Sequence, residues 1–229
     1  MIRTILFDFD GTLNDTWRLY LEAFRRTLAA HYGRLLTDAE ILALQPSAER
    51  RLFARILDQA RHAATYAEFL SHYEALHPEL NDGLYAGILE MLAELRGLGV
   101  RLGVVTGKSR PAWDVTFPSC GLDPFDVVIT DDDVVDPKPA PEGLLAAIQR
   151  IDALPESTLY VGDTVLDGAA AQAASVGFGA ALWSKSAAER AEFTRVLSEL
   201  KPAAVFVQPG DVVKLVRSLR QVARRTDES

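Results

Sequence analysis

Cysteine occurs once in the 229 residues, at Cys120. No internal disulfide can form, and metal sites built on several thiolates are excluded. Histidine is almost as scarce, with His31, His62, His72 and His77 crowded into one part of the chain. Serine has no Gly-x-Ser-x-Gly setting, which argues against a Ser-His-Asp hydrolase. Long apolar runs are missing too. The opening MIRTILFDFD does not read as a secretory signal, and no run is long enough to span a bilayer, so the default expectation is a cytoplasmic, reducing location. Basic charge is in deficit, with 24 Lys+Arg against 32 Asp+Glu, a net charge of −8 and a pI of about 5.1. That balance argues against nucleic-acid or anionic-membrane partners and leaves a small soluble molecule. One local cluster of donors can still hold a phosphate. There is no internal repeat and no low-complexity segment.

What is present suffices for a sizeable core: 48% of residues are hydrophobic and 24% charged. Ile2 to Phe7 read as a short buried strand that stops at acidic residues and Gly11. Residues 16–78 carry helical spacing instead, over 19–30, 37–44, 48–60 and 66–77, with Thr37 and Glu40 spaced as a capping box. Beyond residue 85 the pattern alternates. A helix over 85–98 ends at Gly97 and Gly99, and strands are expected at 100–106, 126–130, 158–161, 178–183 and 203–207. Between them Pro141 opens a helix reaching about Ile151, and another runs from about Val165 to Ser175. The polar tail 224–229 is expected to fray. Strand–helix alternation implies right-handed βαβ units. The expected fold is α/β, a doubly wound, Rossmann-like parallel-sheet core of residues 1–14 and 82–229. An all-helical cap of residues 15–81 is inserted after the first strand, on hinges at 14–16 and 81–84.

In such a fold ligands bind at the carboxyl ends of the strands, so the polar residues there are the informative ones. The first strand ends in Asp8-Phe9-Asp10-Gly11-Thr12, the second in Thr106-Gly107-Lys108-Ser109. Asp131-Asp132-Asp133 and then Asp136-Pro137-Lys138-Pro139 follow the third, and Gly162-Asp163-Thr164 the fourth, with Asp167 beyond. Carboxylates on different strand ends suit Mg²⁺, a hard ion that keeps several waters. Asp8 and Asp10, two apart on an extended segment, point the same way. One can attack phosphorus while the other donates a proton to the leaving oxygen. Charge on a phosphoryl group in transfer calls for an ammonium and aligned donors, which Lys138, the Thr106 hydroxyl and the Gly107 backbone supply.

DFDGTLNDT (8–16), VVTGK (104–108), DPKPAPEGL (136–144) and GDTVLDGAAAQAA (162–174) resemble, in order and spacing, the four motifs of the haloacid dehalogenase superfamily, over essentially the whole chain. The resemblance implies Asp8 as nucleophile and Asp10 as general acid, then general base. It implies Mg²⁺ on the Asp8 carboxylate, the Asp10 backbone carbonyl and Asp163, with Asp167 holding metal-bound water or orienting Lys138. Phosphate would lie against Asp8, Phe9, Asp10, Thr106, Gly107 and Lys138. An acid at position 10 favours a phosphatase over a dehalogenase, and TGK with DPKP looks most like the phosphoglycolate-phosphatase branch. Asn14, usually apolar in the family, and Gly168 after Asp167 depart from its pattern.

The implied activity is hydrolysis of a small phosphorylated metabolite, by a monomer or homodimer. The rivals are a phosphomutase similar to β-phosphoglucomutase and, from another class, a phospho-accepting receiver module, which lacks a cap. Lys108-Ser109 does not complete a nucleotide-binding loop, because position 102 is Leu and Gly103 is one residue out of register. Asp131–Asp133 read as a solvated loop. Within the cap, residues 45–51 are a candidate substrate-reading loop, where Arg50 or Arg51 either grips a substrate carboxylate or belongs to an exposed helix face.

Overall fold

The computed structural model describes residues 1–46 and 48–227. Strand β1 (Thr4–Phe7) is buried along its whole length, and it leads through a turn to a two-residue strand, β2 (Asn14–Asp15). Four helices follow: α1 (Trp17–Tyr32), α2 (Asp38–Ala43), α3 (Glu49–Ile56) and α4 (His62–Leu80). The Thr37–Glu40 capping box is formed at the start of α2. β3 (Gly83–Leu84) then pairs antiparallel with β2, so the chain leaves and re-enters the core through a two-stranded ribbon.

The remainder alternates: α5 (Ile88–Gly97), β4 (Arg101–Val105), α6 (Arg110–Thr116), β5 (Val127–Ile129), α7 (Glu142–Arg150), β6 (Thr158–Gly162), α8 (Val165–Ala173), β7 (Gly177–Ala181), α9 (Ala187–Leu200), β8 (Ala204–Phe206) and α10 (Gly210–Asp227). Helix α6 has no counterpart in the sequence reading. Helix α10 runs through Asp227, so the fraying expected from residue 224 does not begin there, and 228 and 229 lie outside the described residues.

Six strands form one parallel sheet in the order β5-β4-β1-β6-β7-β8, the α/β architecture expected, with a helical insertion between β1 and β4. Successive residues of β1 serve opposite faces: Ile5 and Phe7 join the layer with α5 and α10, and Leu6 joins the layer with α7, α8 and α9. Burial on both faces explains why these strands are continuous apolar runs. The inserted helices have their own core around Phe24, Phe53, Phe69 and Tyr73. The chain winds outward from β1 in both directions, so the crevice for a ligand opens at the carboxyl ends of β1, β4 and β6. No described helix is long and apolar enough to cross a membrane.

Candidate active site

Asp8 follows β1 directly and stays on the sheet ladder through its N–H, which donates to Val161 O at 2.8 Å. That fixes its carboxylate at the mouth of the crevice, nearly buried. Lys138 reaches it from the β5–α7 connection, Nζ 3.0 Å from Asp8 Oδ1 and 2.7 Å from Asp167 Oδ1. Tyr160 on β6 completes the bracket: its hydroxyl donates to Val105 O at 2.8 Å and lies 3.2 Å from the lysine.

Asp167 is held rigidly. Its Oδ2 accepts from the Thr164 N–H at 3.0 Å and the Thr164 hydroxyl at 2.6 Å, in the capping box that starts α8. Against the cost of burial, Lys138 keeps the Asp167 carboxyl below its ordinary range. Burial pushes Asp8 the other way, up to about 8, with Lys138 opposing and three neighbouring carboxylates assisting. Burial also raises Asp163, which Lys185 moderates from 2.9 Å. Carboxylate oxygens of Asp8, Asp163 and Asp167 converge within 4.8 Å of one another, a buried acidic site able to hold a cation. Gly11 keeps the approach to it open. A Cβ there would stand 2.8 Å from Asp163 Oδ2, and its φ of +79° is one that glycine adopts without strain.

Asp10 is oriented through one oxygen. Its Oδ1 accepts from the Thr16 hydroxyl at 2.6 Å and from Lys108 Nζ at 3.0 Å. Asp8, Asp10, Thr106, Gly107, Lys138 and Asp163 all line one cleft of about 980 Å³ between the sheet edge and the inserted helices. Thr106 is nearly buried and its Oγ accepts from the Lys108 N–H at 3.1 Å. Phe9 does not line the cleft; its ring is fully buried against Trp113. Asp167 lies behind Lys138, outside the cleft wall.

One expectation needs correcting. Asp131–Asp133 form a 3₁₀ turn, with Asp131 buried, rather than a solvated loop. Arg50 and Arg51 are not among the residues that line the cleft, and Arg50 stands on an exposed face of α3. Arg50 pairs with Asp132 at 2.5 Å, and Arg51 pairs with Asp131 at 2.7 Å while donating to Val134 O and Val135 O. Of the loop 45–51, Gln45, Pro46, Ala48 and Glu49 do line the cleft, and Ser47 lies outside the described residues.

Sequence reasoning missed Lys108, Lys185 and Tyr160. Lys108 stands at a strand end inside the TGK segment, where nothing in the sequence marks it as a partner of Asp10. Lys185 follows β7 on the same edge of the sheet, a position that could have marked it. Tyr160 sits inside a strand, where an aromatic residue gives no signal.

A family model described as haloacid dehalogenase-like hydrolase matches residues 5–181. The chain is 34% identical over 187 residues to the pyrophosphatase PpaX of Bacillus mycoides (strain KBAB4), covering 80% of this chain and 85% of the relative. Among solved structures, a candidate phosphoglycolate phosphatase from Lactobacillus plantarum superposes with a TM-score of 0.76 at 28% identity, covering 94% of this chain and 100% of that one. CbbY from Rhodobacter sphaeroides, in complex with phosphate, gives 0.78 at 26% identity, with 93% and 96% covered.

Proposed function

The chain belongs to the haloacid dehalogenase-like hydrolase family and is a phosphatase of that family, and from that premise we propose that it hydrolyses a small phosphomonoester by way of a phosphoryl group carried on Asp8. The observation that supports this reading best is the buried Asp8 carboxylate, anchored on β1, facing Lys138 at 3.0 Å and opening on the cleft.

In the first half-reaction an Asp8 oxygen attacks phosphorus, the bond to the leaving oxygen breaks, and Asp10 gives that oxygen its proton. In the second, water attacks the acyl phosphate, Asp10 takes a proton from it, and the P–O bond to Asp8 breaks to release orthophosphate. The Lys138 ammonium, the Thr106 hydroxyl and the Gly107 N–H face the oxygens that carry the transferred charge. The donor set fits Mg²⁺: Asp8, Asp163 and the Asp10 carbonyl offer only hard oxygen, no described histidine or thiol lies among them, and Gly11 keeps the space before Asp163 clear. When bound, the ion neutralises charge on the phosphoryl oxygens. We divide the chain into a core of 1–14 and 82–229 and a cap of 15–81 that closes over the substrate, turning at the β2–β3 ribbon.

A second reading, inorganic pyrophosphate as substrate, is favoured by the PpaX relative. Against it stand Trp17, Leu21, Phe24, Leu42 and Pro46, an apolar side of the cleft that suits an organic leaving group and is of no use to pyrophosphate. A phosphate-release screen decides among phosphoglycolate, other metabolite monoesters and pyrophosphate, each with Mg²⁺ and with excess EDTA. Turnover of one or more monoesters, with Mg²⁺ and without a bisphosphate activator, is expected. Pyrophosphate alone as substrate, dependence on a bisphosphate, or full activity in EDTA overturns the reading.

A further inference from the structure

Lys108 is the most fully buried cation of the molecule among the described residues, with a side chain 0% exposed. A lysine ammonium has three N–H bonds and no acceptor. Here each finds one partner: Asp10 Oδ1 at 3.0 Å, the Tyr20 hydroxyl at 2.8 Å and the Tyr73 hydroxyl at 2.9 Å. The ammonium also lies 4.3 Å from the Tyr20 ring centre and 5.0 Å from that of Tyr73, which supports a desolvated charge. Neither tyrosine is free to turn. Tyr20 on α1 accepts from Lys108 and donates onward to Glu49 Oε1 at 2.6 Å, while Glu49 Oε2 accepts from the Ser109 N–H at 3.1 Å. Tyr73 on α4 accepts likewise, so its own proton goes to Thr116 Oγ1 at 2.7 Å. One ammonium thus joins the loop after β4, two helices of the insertion and the carboxyl of Asp10.

The consequence lies in which Asp10 oxygen is engaged. Both donors, Lys108 and the Thr16 hydroxyl, address Oδ1, and no described hydrogen bond reaches Oδ2. An acid that accepts two hydrogen bonds on one oxygen carries its proton on the other. Oδ2 is then the atom that gives a proton to the leaving group and takes one from water. We propose that Lys108 is the positioning residue of Asp10, turning Oδ2 toward the cleft, and that it holds this pose only while Tyr20 and Tyr73 of the inserted helices are seated, which makes proton transfer conditional on the cap. The inference rests on Asp10 being the acid and base, and it adds a residue that acts through Asp10 without touching substrate.

The test uses the full chain with Mg²⁺ and two probes, phenyl phosphate, whose leaving group needs a proton, and p-nitrophenyl phosphate, whose leaving group does not. Bursts of phenol and of nitrophenolate measure phosphorylation of the enzyme alone. In Lys108→Met the phenol burst is expected to slow by about 10²-fold, as for loss of an aligned general acid, with the nitrophenolate burst within about threefold of the parent. The double variant Asp10→Asn/Lys108→Met is expected to be no slower than Asp10→Asn alone, since a residue acting through Asp10 has nothing left to position. Equal slowing of both bursts, or additive loss in the double variant, overturns the inference. Asp10→Asn is the control for the underlying reading: if it fails to separate the two probes, the role of Asp10 itself is wrong. Should Lys108→Met not fold, Tyr73→Phe keeps the lysine and removes one of its acceptors. The same selective slowing of phenyl phosphate supports the inference, and parental behaviour with both probes overturns it.

Discussion

Arg51 and Asp131 meet across the seam between the inserted helices and the core, with the guanidinium Nε 2.7 and 3.0 Å from the two carboxylate oxygens. The carboxylate is buried and the arginine partly exposed, and the same guanidinium ties down Val134 O and Val135 O, just ahead of the segment that carries Lys138. The pair therefore fastens helix α3 to the loop that carries Lys138, the partner of Asp8. Arg51→Ala is expected to raise KM severalfold and to lower stability by about 1–2 kcal/mol, the size of a lost charged hydrogen-bond set at a half-buried site. Kinetics and denaturant unfolding measure both. An unchanged KM shows that the seam does not bear on substrate.

A second expectation concerns Asp8 and pH. Burial pushes its carboxyl from 3.8 up to about 8, with Lys138 opposing. Between those values the native protein holds a proton that the unfolded chain has released. The stabilisation from this proton is complete below about pH 4 and is lost as pH rises toward 8. Asp8→Asn removes this titration. In EDTA its melting temperature is expected to gain on the parent steadily from pH 5 to about 8 and then hold a constant lead. Parallel melting curves across that range refute this.

Gly11 carries a third. Gly11→Ala places a methyl group 2.8 Å from Asp163 Oδ2 on a backbone with φ of +79°. The left-handed conformation alone costs about 1–2 kcal/mol with a side chain present. The displaced Asp163 should also bind metal less well. The parent is expected to gain about 2.7 kcal/mol of stability at a Mg²⁺ concentration one hundred times its dissociation constant. Gly11→Ala should gain measurably less at the same concentration, read by thermal unfolding with and without Mg²⁺. An equal gain means that Asp163 is no ligand.

The polar residues at the strand ends are legible in the sequence because each is set by local pattern, an apolar run followed at once by Asp, by Thr-Gly or by Gly-Asp. Helix ends were less so. The helix expected from Tyr85 starts at Ile88, because Gly87 takes a φ of +87° and breaks the path before it. Asp131–Asp133 could not be read correctly, since their partners Arg50, Arg51, Arg110 and Arg150 come from three separate helices and only the fold assembles them. The same holds for Lys108. Its three acceptors lie on the loop after β1, on α1 and on α4, so nothing in its own neighbourhood distinguishes it from a solvated lysine.

The last prediction separates Asp8 from Asp10 by how each fails. In the proposed reaction Asp8 supplies the atom that bonds to phosphorus, so Asp8→Asn is expected to lower turnover by roughly three orders of magnitude or more with any substrate. Asp10→Asn leaves the nucleophile with its Lys138 partner, 3.0 Å away, and it leaves the backbone carbonyl at position 10 in place. In the proposed reaction it loses the proton donor of the first half-reaction and the base of the second, each worth about 10²–10⁴-fold. An activated aryl phosphate needs no proton on its leaving group, so it should still phosphorylate the Asp10 variant. Hydrolysis of the acyl phosphate then lags, and phosphoenzyme accumulates. Intact-mass measurement after quenching in acid should show a phosphate adduct on the Asp10→Asn protein, mapped by peptide analysis to Asp8, and none on Asp8→Asn. Label on Asp163 instead, or ordinary turnover by Asp8→Asn, assigns the nucleophile elsewhere.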